Sequence, residues 1–381
     1  MKFNVQDYPY NSKRNVIYAK NGMAASGNPQ ASAAGLEILR RGGKAIDAAV
    51  AMAAALPVVE PTGNGIGADC FALIYFEGKL YGLNSSGPAP KGLSYESLKK
   101  RGYDKIPSYG VHPVDVPGSP AGWAAMSEKF GKLSFEEVLQ PAIEYAENGY
   151  VIQPNVARLW DEAYNTYSKF KDKPEFKGWF DTFAKNDGPY EAGDVFKSQD
   201  MAETLKKIAL TNSKDFYDGE LADKIDAFMK EHDGFLLKED LKNYEPEWVE
   251  PIGTNYRGYD VWEIPPNGHG ITVLMALNIL KGYEFPYRDS VDTMHKQIEA
   301  MKLSFVDTQE YVAEPGRMTV TVEQLLSEKY AEDRRKLIGD KALMPEIGDP
   351  SYSGTVYFAT ADKDGNMVSM IQSNYRGFGS G

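Results

Sequence analysis

The stretch that decides the fold is residues 355–373, TVYFATADKDGNMVSMIQS. A β-branched and aromatic run at 355–361 precedes the turn residues DKDGN at 362–366, and a second run with partial alternation follows at 367–373. Strand-forming residues on both sides of a turn that contains Asp-Gly are typical of a β-hairpin. The stretch therefore predicts two antiparallel strands, and on composition alone Thr355 is an ordinary strand residue.

The rest of the chain alternates helical and strand patterns. Two β-rich runs, 70–76 and 80–85, flank a short turn and predict a second hairpin. The segment that begins near Lys44 is apolar all round, which predicts a helix buried between other elements and ending at Pro57. Mixed helices and hairpins favour an α/β (α+β) layered architecture. Further helices are predicted at 28–41, 120–130, 134–148, 200–210, 219–231, 271–281 and 290–310, with a strand at 259–264 and a long surface connection at 88–116.

Length and charge limit the class of protein. The 381 residues predict two domains or one large layered domain. Forty-two Lys and Arg against 54 Asp and Glu give a net charge of −12, so we expect no nucleic-acid or membrane partner. The single cysteine, Cys70, permits no internal disulfide. No secretory signal is visible, which predicts a cytoplasmic protein, with a trimmed signal as the alternative.

Several patterns that resemble ligand sites do not meet the requirements of one. Gly63-x-Gly65-x-Gly67 precedes a strand and lacks a following Gly-Lys-Ser/Thr, so it does not predict a phosphate loop. The run 362–366 has its glycine at the fourth position, where a calcium loop needs it at the sixth. The four histidines are far apart in sequence and in no ligand pattern. We therefore predict neither a metal nor an organic cofactor.

An ordered series of motifs carries a resemblance that no single motif would. The motifs are GLEILRRGGKAIDAAVA at 35–51, VEP at 59–61, GIG at 65–67, VPG at 116–118, AG at 121–122, PAI at 141–143, AENG at 146–149, FYDG at 216–219, YRGY at 256–259, PP at 265–266, ALNIL at 276–280 and GTVYF at 354–358. In this order the chain resembles the γ-glutamyltranspeptidase family, which includes cephalosporin acylase-like proteins. The resemblance implies the four-layer α-β-β-α sandwich of the N-terminal nucleophile hydrolases.

The resemblance also implies a precursor that cuts itself between Gly354 and Thr355. Residues 1–354 would form a large subunit, and 355–381 would begin a small catalytic subunit paired with it as a heterodimer, with a higher oligomer possible. The implied activity is that of an amidohydrolase or acyltransferase, similar to a glutathione hydrolase, that acts on small-molecule amides. Family members continue past the position of residue 381 with the glycines of the oxyanion hole, so we expect residues 1–381 alone to be inactive.

The chemistry explains why such an enzyme needs a new amino terminus at Thr355. A threonine hydroxyl is a poor nucleophile, but a freed α-amine, with a pKa of about 7.7 to 8.0, can serve as its base at neutral pH. Before cleavage that nitrogen belongs to an amide and cannot accept a proton. The same hydroxyl would act twice, first on the Gly354 carbonyl and then on the substrate amide.

Four further site residues follow from the resemblance. A family hydroxyl that hydrogen-bonds the nucleophile falls on Ser373. The family's substrate-binding asparagine falls on Tyr375, with Asn374 beside it. The family arginine that clamps the glutamyl α-carboxylate falls on Ser86, and a serine cannot supply that bidentate pair. Ser86 therefore favours a cephalosporin or glutaryl acylase-like specificity as one alternative, and the altered motif leaves a catalytically silent family member as another.

Overall fold

The computed structural model describes residues 16–345 and 356–381. Its strands are β1 (Gly22–Ser26), β2 (Asp69–Phe76), β3 (Lys79–Ser85), β4 (Tyr150–Val151), β5 (Val195–Phe196), β6 (Glu247–Val249), β7 (Ile252–Tyr256), β8 (Tyr259–Glu263), β9 (Val356–Asp362) and β10 (Met367–Ser373). Its helices are α1 (Pro29–Arg40), α2 (Ala45–Val59), α3 (Tyr95–Lys100), α4 (Ser119–Phe130), α5 (Phe135–Asn148), α6 (Pro154–Tyr167), α7 (Lys177–Phe183), α8 (Gln199–Thr211), α9 (Lys214–Asp218), α10 (Glu220–Glu231), α11 (Lys238–Lys242), α12 (Ile271–Leu280), α13 (Val291–Tyr311), α14 (Val322–Leu325) and α15 (Glu328–Arg335). Short 3-10 turns lie at Ser168–Phe170, Pro174–Phe176 and Pro315–Arg317.

A six-stranded sheet in the order β1-β9-β10-β2-β3-β6 organises the larger part of the chain. Both predicted hairpins are confirmed, β2 with β3 and β9 with β10, and β10 pairs antiparallel with β2. The strands that end the sequence therefore lie in the middle of the sheet, between strands from its first quarter. One face of these strands is buried, and the opposite face carries half-exposed side chains, among them Tyr75, Tyr357 and Ile371.

Helix α2 is the centre of the core, as its apolar composition predicts. Every residue from Ala45 to Val59 is buried, and the helix packs between α1 and α5 on one side and β9 and β10 on the other. Two side-chain bonds attach the hairpin to the start of α2. Asp362 Oδ2 accepts from the Ala45 N–H at 3.0 Å, and Thr360 Oγ1 donates to the Ala45 carbonyl at 2.6 Å.

The predicted end of this helix at Pro57 is wrong, because α2 continues to Val59. A proline lacks the N–H that would bond the carbonyl four residues earlier, which here is that of Ala53. The Gln372 side-chain amide of β10 donates to that carbonyl at 3.0 Å instead. A residue distant in sequence thus satisfies the acceptor that Pro57 frees, and the helix needs no break.

Two other expectations need refinement. The connection predicted at 88–116 contains the short helix α3, which Ser94 caps by accepting from the Ser97 N–H. The poorly periodic region from 151 to 200 contains α6 and α7, whose aromatic residues enter the core. No helix among the described residues is both long and apolar enough to cross a bilayer.

The described chain forms two compact units. One comprises Lys20–Trp248 together with 356–381, and the other comprises the described part of the chain from Val249 to 345 with residues 16–19. The large sheet and α2 belong to the first unit, apart from Val249 at the end of β6. The second contains the β7–β8 hairpin and helices α12 to α15, with a small core around Ile279 and Leu303. The predicted division at Gly354-Thr355 is a site of backbone cleavage. Compact units do not test where a backbone is cleaved, so this division stays a prediction.

Candidate active site

Thr355 and Gly354 lie outside the described residues, but the residue bonded to Thr355 is described. Val356 begins β9 and pairs with Gln372 of β10. The next residue of β10 is Ser373, the last of the strand. The end of this ladder is therefore the described part of the chain that lies next in sequence to the predicted nucleophile.

Ser373 is buried and held by the turn that follows it. Its side chain is 8% exposed, and its Oγ accepts from the Tyr375 N–H at 2.9 Å. Ser373 also lies directly opposite Asp69 of β2 in the antiparallel register. Its hydroxyl is thus fixed at a strand end beside a carboxylate that the sequence analysis did not single out.

Asn374 and Tyr375 lead away from the sheet along the glycine-rich segment 63–67. The Asn374 N–H donates to the Gly63 carbonyl at 3.4 Å. A Cβ placed on Gly65 would lie 2.7 Å from Asn374 Oδ1, so a larger residue there would displace this amide. The segment that resembled a phosphate loop therefore makes room for the chain after Ser373.

Tyr375 has an unusual backbone conformation. Its φ is +68°, in the left-handed region that costs a residue other than glycine about 1 kcal/mol and that asparagine tolerates best. The family residue predicted for this position is an asparagine, and the backbone fits that residue better than it fits tyrosine. The Tyr375 side chain is 56% exposed.

Aromatic packing anchors the residues that follow. The single hydroxyl proton of Tyr167 is shared between the carbonyls of Gly377 and Gly379, at 3.1 and 3.0 Å. Phe378 is buried against Trp160 and Phe183. The turn after Ser373 is therefore tied down at both ends.

Ser86 lies just past the end of β3, on the other side of β2 from Ser373. Its N–H and its hydroxyl both donate to Asn84 Oδ1, at 3.1 and 2.8 Å. Cys70 pairs with Ser85 in the β2–β3 register, so Ser86 is level with Asp69 along the strands. The structure thus brings Ser86 and Ser373 to one edge of the sheet, with Asp69 between them.

A second carboxylate, that of Asp115, lies close to Asp69. The loop that carries it runs against the one that follows Ser86, and the Val116 N–H donates to the Pro88 carbonyl at 3.1 Å. A Cβ on Gly87 would lie 1.4 Å from the Val116 carbonyl oxygen, so only glycine permits this approach. Close backbone packing therefore fixes the loop that carries Asp115 beside the segment that follows Ser86.

Both carboxylates are electrostatically disfavoured as anions. Loss of hydration raises the pKa of Asp69, against a smaller opposing effect of its own N–H. Loss of hydration, and then the Asp69 charge, raise the pKa of Asp115 to about 7. Asp115 also has a solvent-exposed side, where water opposes this shift. This edge of the sheet therefore holds two carboxyl groups whose ionised forms are only partly solvated.

A buried hydrogen-bond chain lies on the opposite face of the same strands. Gln372, fully buried, accepts from Trp123 Nε1 at 2.9 Å and donates to the Ala53 carbonyl and to Asn64 Oδ1, at 3.0 and 3.3 Å. The chain fixes β10 against α2 and α4 immediately before Ser373. It rests on pairings between distant segments, so no local pattern in the sequence could have identified it.

Other groups with possible chemistry do not form a second site. The Cys70 thiol is fully buried, and burial first, then the Asp69 charge, raise its pKa to about 12, so it stays protonated. Residues 16–345 and 356–381 contain no group of three or more His, Cys, Asp or Glu side chains able to hold a metal ion.

Comparisons with known proteins agree with the motif series. The profile of the γ-glutamyltranspeptidase family matches residues 31–381. The chain is 35% identical over 374 residues to a glutathione hydrolase-like proenzyme of Bacillus subtilis, a match that covers 96% of this chain and 69% of that protein. It is 34% identical over 369 residues to the acylase ACY 1 proenzyme of a Pseudomonas species, covering 92% of this chain and 65% of that one. The chain thus spans about two thirds of the length of these relatives.

Solved structures show the same relationship. The crystal structure of cephalosporin acylase from Bacillus halodurans matches with a TM-score of 0.93 and 56% identity, over 100% of this chain and 70% of that one. The γ-glutamyltranspeptidase of Helicobacter pylori matches with a TM-score of 0.80 and 31% identity, over 88% of this chain and 100% of that one. These neighbours are N-terminal nucleophile hydrolases, so the predicted fold class is confirmed.

Members of this family share a type of maturation and a class of reaction. Relatives are proenzymes that cleave themselves into subunits, and the family acts on small-molecule amides as hydrolases and transferases. The motif series, the profile match over 31–381 and the likeness of the fold lead to one conclusion: the chain belongs to the γ-glutamyltranspeptidase family.

Proposed function

We propose that this protein is an autoprocessing N-terminal threonine hydrolase or acyltransferase whose nucleophile is Thr355. The observation that carries the proposal is the end of the β9–β10 ladder. Val356 pairs there with Gln372, so Thr355 is bonded to the strand beside the buried Ser373. Family membership supports the reaction class, and the buried Ser373 at the end of this ladder supports Thr355 as the nucleophile.

The proposed cleavage conserves atoms and charge. The Thr355 hydroxyl attacks the Gly354 carbonyl, the Gly354-Thr355 amide bond breaks, and the acyl group moves to the oxygen as an ester. Water hydrolyses that ester, which leaves a carboxylate on Gly354 and a free α-amine on Thr355. The amine then takes the hydroxyl proton during attack on a substrate amide, and the leaving amine carries a proton away.

Ser373 would support the nucleophile in this scheme. Its hydroxyl is held at the strand end by the Tyr375 N–H and can donate toward the Thr355 oxygen. The acyl-enzyme is then resolved by water in a hydrolase, or by an acceptor amine in a transferase. We propose that the two products of cleavage stay together as a heterodimer.

Two acyl specificities follow from two observations. The similarity of this chain to glutathione hydrolase proenzymes supports a γ-glutamyl donor. Ser86 at the position of the family's arginine, together with 56% identity to a cephalosporin acylase, favours a donor without the α-carboxylate. Hydrolysis rates of γ-glutamyl and glutaryl anilides separate these two readings. We propose roles in substrate contact for Ser86, Asn374 and Tyr375.

Intact-mass analysis of the protein expressed from its complete coding sequence tests the nucleophile. We expect a cut between Gly354 and Thr355, and loss of both the cut and the amidase activity in Thr355→Ala. Ser369→Ala in the partner strand β10 is the control, because its hydroxyl bonds the Tyr357 hydroxyl at an exposed position, and this variant should still be cut. An uncut parent protein, or an unchanged cut in Thr355→Ala, would refute the mechanism.

A further inference from the structure

Three polar residues form a row at one end of three neighbouring strands: two lie on β10 and β2, and the third lies just past the end of β3. Ser373 of β10 and Asp69 of β2 are Cα partners, and Ser86 follows Ser85, the partner of Cys70. Directly opposite residues on one face of an antiparallel pair have Cβ atoms about 4.5 to 5.5 Å apart. Asp69 is thus the side chain between the position beside the nucleophile and the position where the family has its arginine.

The alternation of side chains along β10 and β2 determines the face of the sheet on which Ser373 and Asp69 lie. Gln372 and Cys70, one residue away from Ser373 and Asp69, are fully buried on the helix-covered face. Successive side chains of a strand point to opposite faces, so Ser373 and Asp69 share the other face. The Asp69 carboxylate is consequently on the same side of the sheet as the predicted chemistry.

Charge at this row is negative, where the family's arginine would make it positive. Asp115 adds a second carboxylate close to Asp69, and Ser86 adds none of the positive charge of an arginine. Among the described residues no Lys or Arg offsets either carboxylate. A donor with a carboxylate at this place meets repulsion, whereas a donor with an ammonium group gains a charge-assisted hydrogen bond.

We propose that Asp69 determines the acyl specificity, selecting donors that carry an ammonium group and no carboxylate, such as 4-aminobutanoyl amides. The inference rests on the proposed function, since it assigns a substrate class to the same site. It differs from both readings given above. A γ-glutamyl group carries a carboxylate as well as an ammonium group, and a glutaryl group carries the carboxylate alone.

These three acyl groups form a matched series for the test. Removing the α-carboxylate from a γ-glutamyl group gives 4-aminobutanoyl, and removing its ammonium group gives glutaryl. The measurement is kcat/KM for the three 4-nitroanilides with the processed enzyme. We expect the parent enzyme to prefer 4-aminobutanoyl over glutaryl by about tenfold or more, with γ-glutamyl between them.

Asp69→Asn should reduce this preference by about tenfold or more, because it removes the charge and keeps the shape. Asp104→Asn is the matched control. It removes one negative charge from the surface, at a side chain 95% exposed, and should leave the ratio of the two donors unchanged. The readout is a ratio between donors, so a general loss of folding or activity would not imitate the effect.

Failure of this inference can be told from failure of the proposed function. A parent protein that is not cut at Gly354-Thr355 and hydrolyses no anilide refutes the function. A parent that is cut and active but prefers glutaryl overturns the inference, even if Asp69→Asn does not fold. An unchanged donor ratio in a folded, processed Asp69→Asn protein also overturns it.

Discussion

At the scale of single residues, the row of Ser373, Asp69 and Ser86 combines groups that serve chemistry better than stability. Loss of hydration raises the pKa of both Asp69 and Asp115, the Asp69 charge raises that of Asp115 further, and neither carboxylate is offset by a described Lys or Arg. Two carboxylates in that situation destabilise the folded state whenever both are ionised. Such an arrangement is common where a binding site is built, since the missing countercharge can come from a substrate.

The raised pKa of Asp115, caused first by loss of hydration and then by the Asp69 charge, predicts a pH dependence of stability. The pKa of Asp115 is raised to about 7 in the folded protein, so between about pH 4 and 7 the folded state binds more protons than the unfolded chain. Stability therefore falls as the pH rises through this range. Asp115→Asn should be more stable than the parent at pH 8, with the difference vanishing near pH 4.

Urea unfolding midpoints at the two pH values measure this difference. Asp104→Asn again serves as the control, because an exposed carboxylate should give the same small difference at both pH values. A larger gain for Asp115→Asn at pH 4 than at pH 8 would contradict the assignment.

At the scale of elements, Gln372 connects β10 to two helices. Its amide serves the Ala53 carbonyl that Pro57 leaves open, and it also bonds Asn64 and Trp123. Gln372→Met keeps the size of the side chain and leaves these buried groups without partners. Since an unsatisfied buried polar group costs about 1 to 3 kcal/mol, we expect a loss of roughly 2 to 4 kcal/mol in the free energy of unfolding.

Chemical denaturation of the whole protein measures that loss. Gln140→Met is the control, because Gln140 forms a solvent-exposed bond to Glu144 within one helix. Its effect should stay within about 0.5 kcal/mol. A loss below about 1 kcal/mol in Gln372→Met would show that the buried chain contributes little.

Local patterns predicted the elements that depend on local physics. The hairpins at 70–85 and 356–373 are marked by strand-forming residues on both sides of a turn, and helix α2 by its continuous apolar composition, and neither signal depends on the rest of the molecule. The end of α2 could not be predicted, because it depends on a bond from Gln372. Asp69 could not be identified as a site residue either, because its strand partner Ser373 is some 300 residues away in sequence. Ser86 and Ser373 were identified through the family resemblance, not through any pattern of their own.

At the scale of the whole molecule, β9 and β10 are interior strands of the sheet. β9 pairs with β1 and β10 pairs with β2, so two ladders hold the hairpin to strands from the beginning of the chain. Helix α2 covers its buried face. A cut before Val356 would therefore leave the hairpin bound on three sides.

We expect the two cleavage products to co-elute as one species in gel filtration under native conditions. They should separate only in denaturant, because separation requires breaking the central ladders of the sheet. The uncut Thr355→Ala protein should elute at the same volume and serves as the control. Elution of a separate small fragment without denaturant would contradict the central placement of the hairpin.

The central placement of β9 and β10 has a consequence for the biogenesis of the protein. The strands beside this hairpin come from the first quarter of the sequence, so the chain must collapse as a whole before the cleavage segment has its neighbours. Cleavage would then mark a completed folding event, and misfolded copies would stay uncut and inert. Subunits produced separately and mixed afterwards would have to insert two strands between β1 and β2, in the interior of the sheet, a far slower route than folding as one chain.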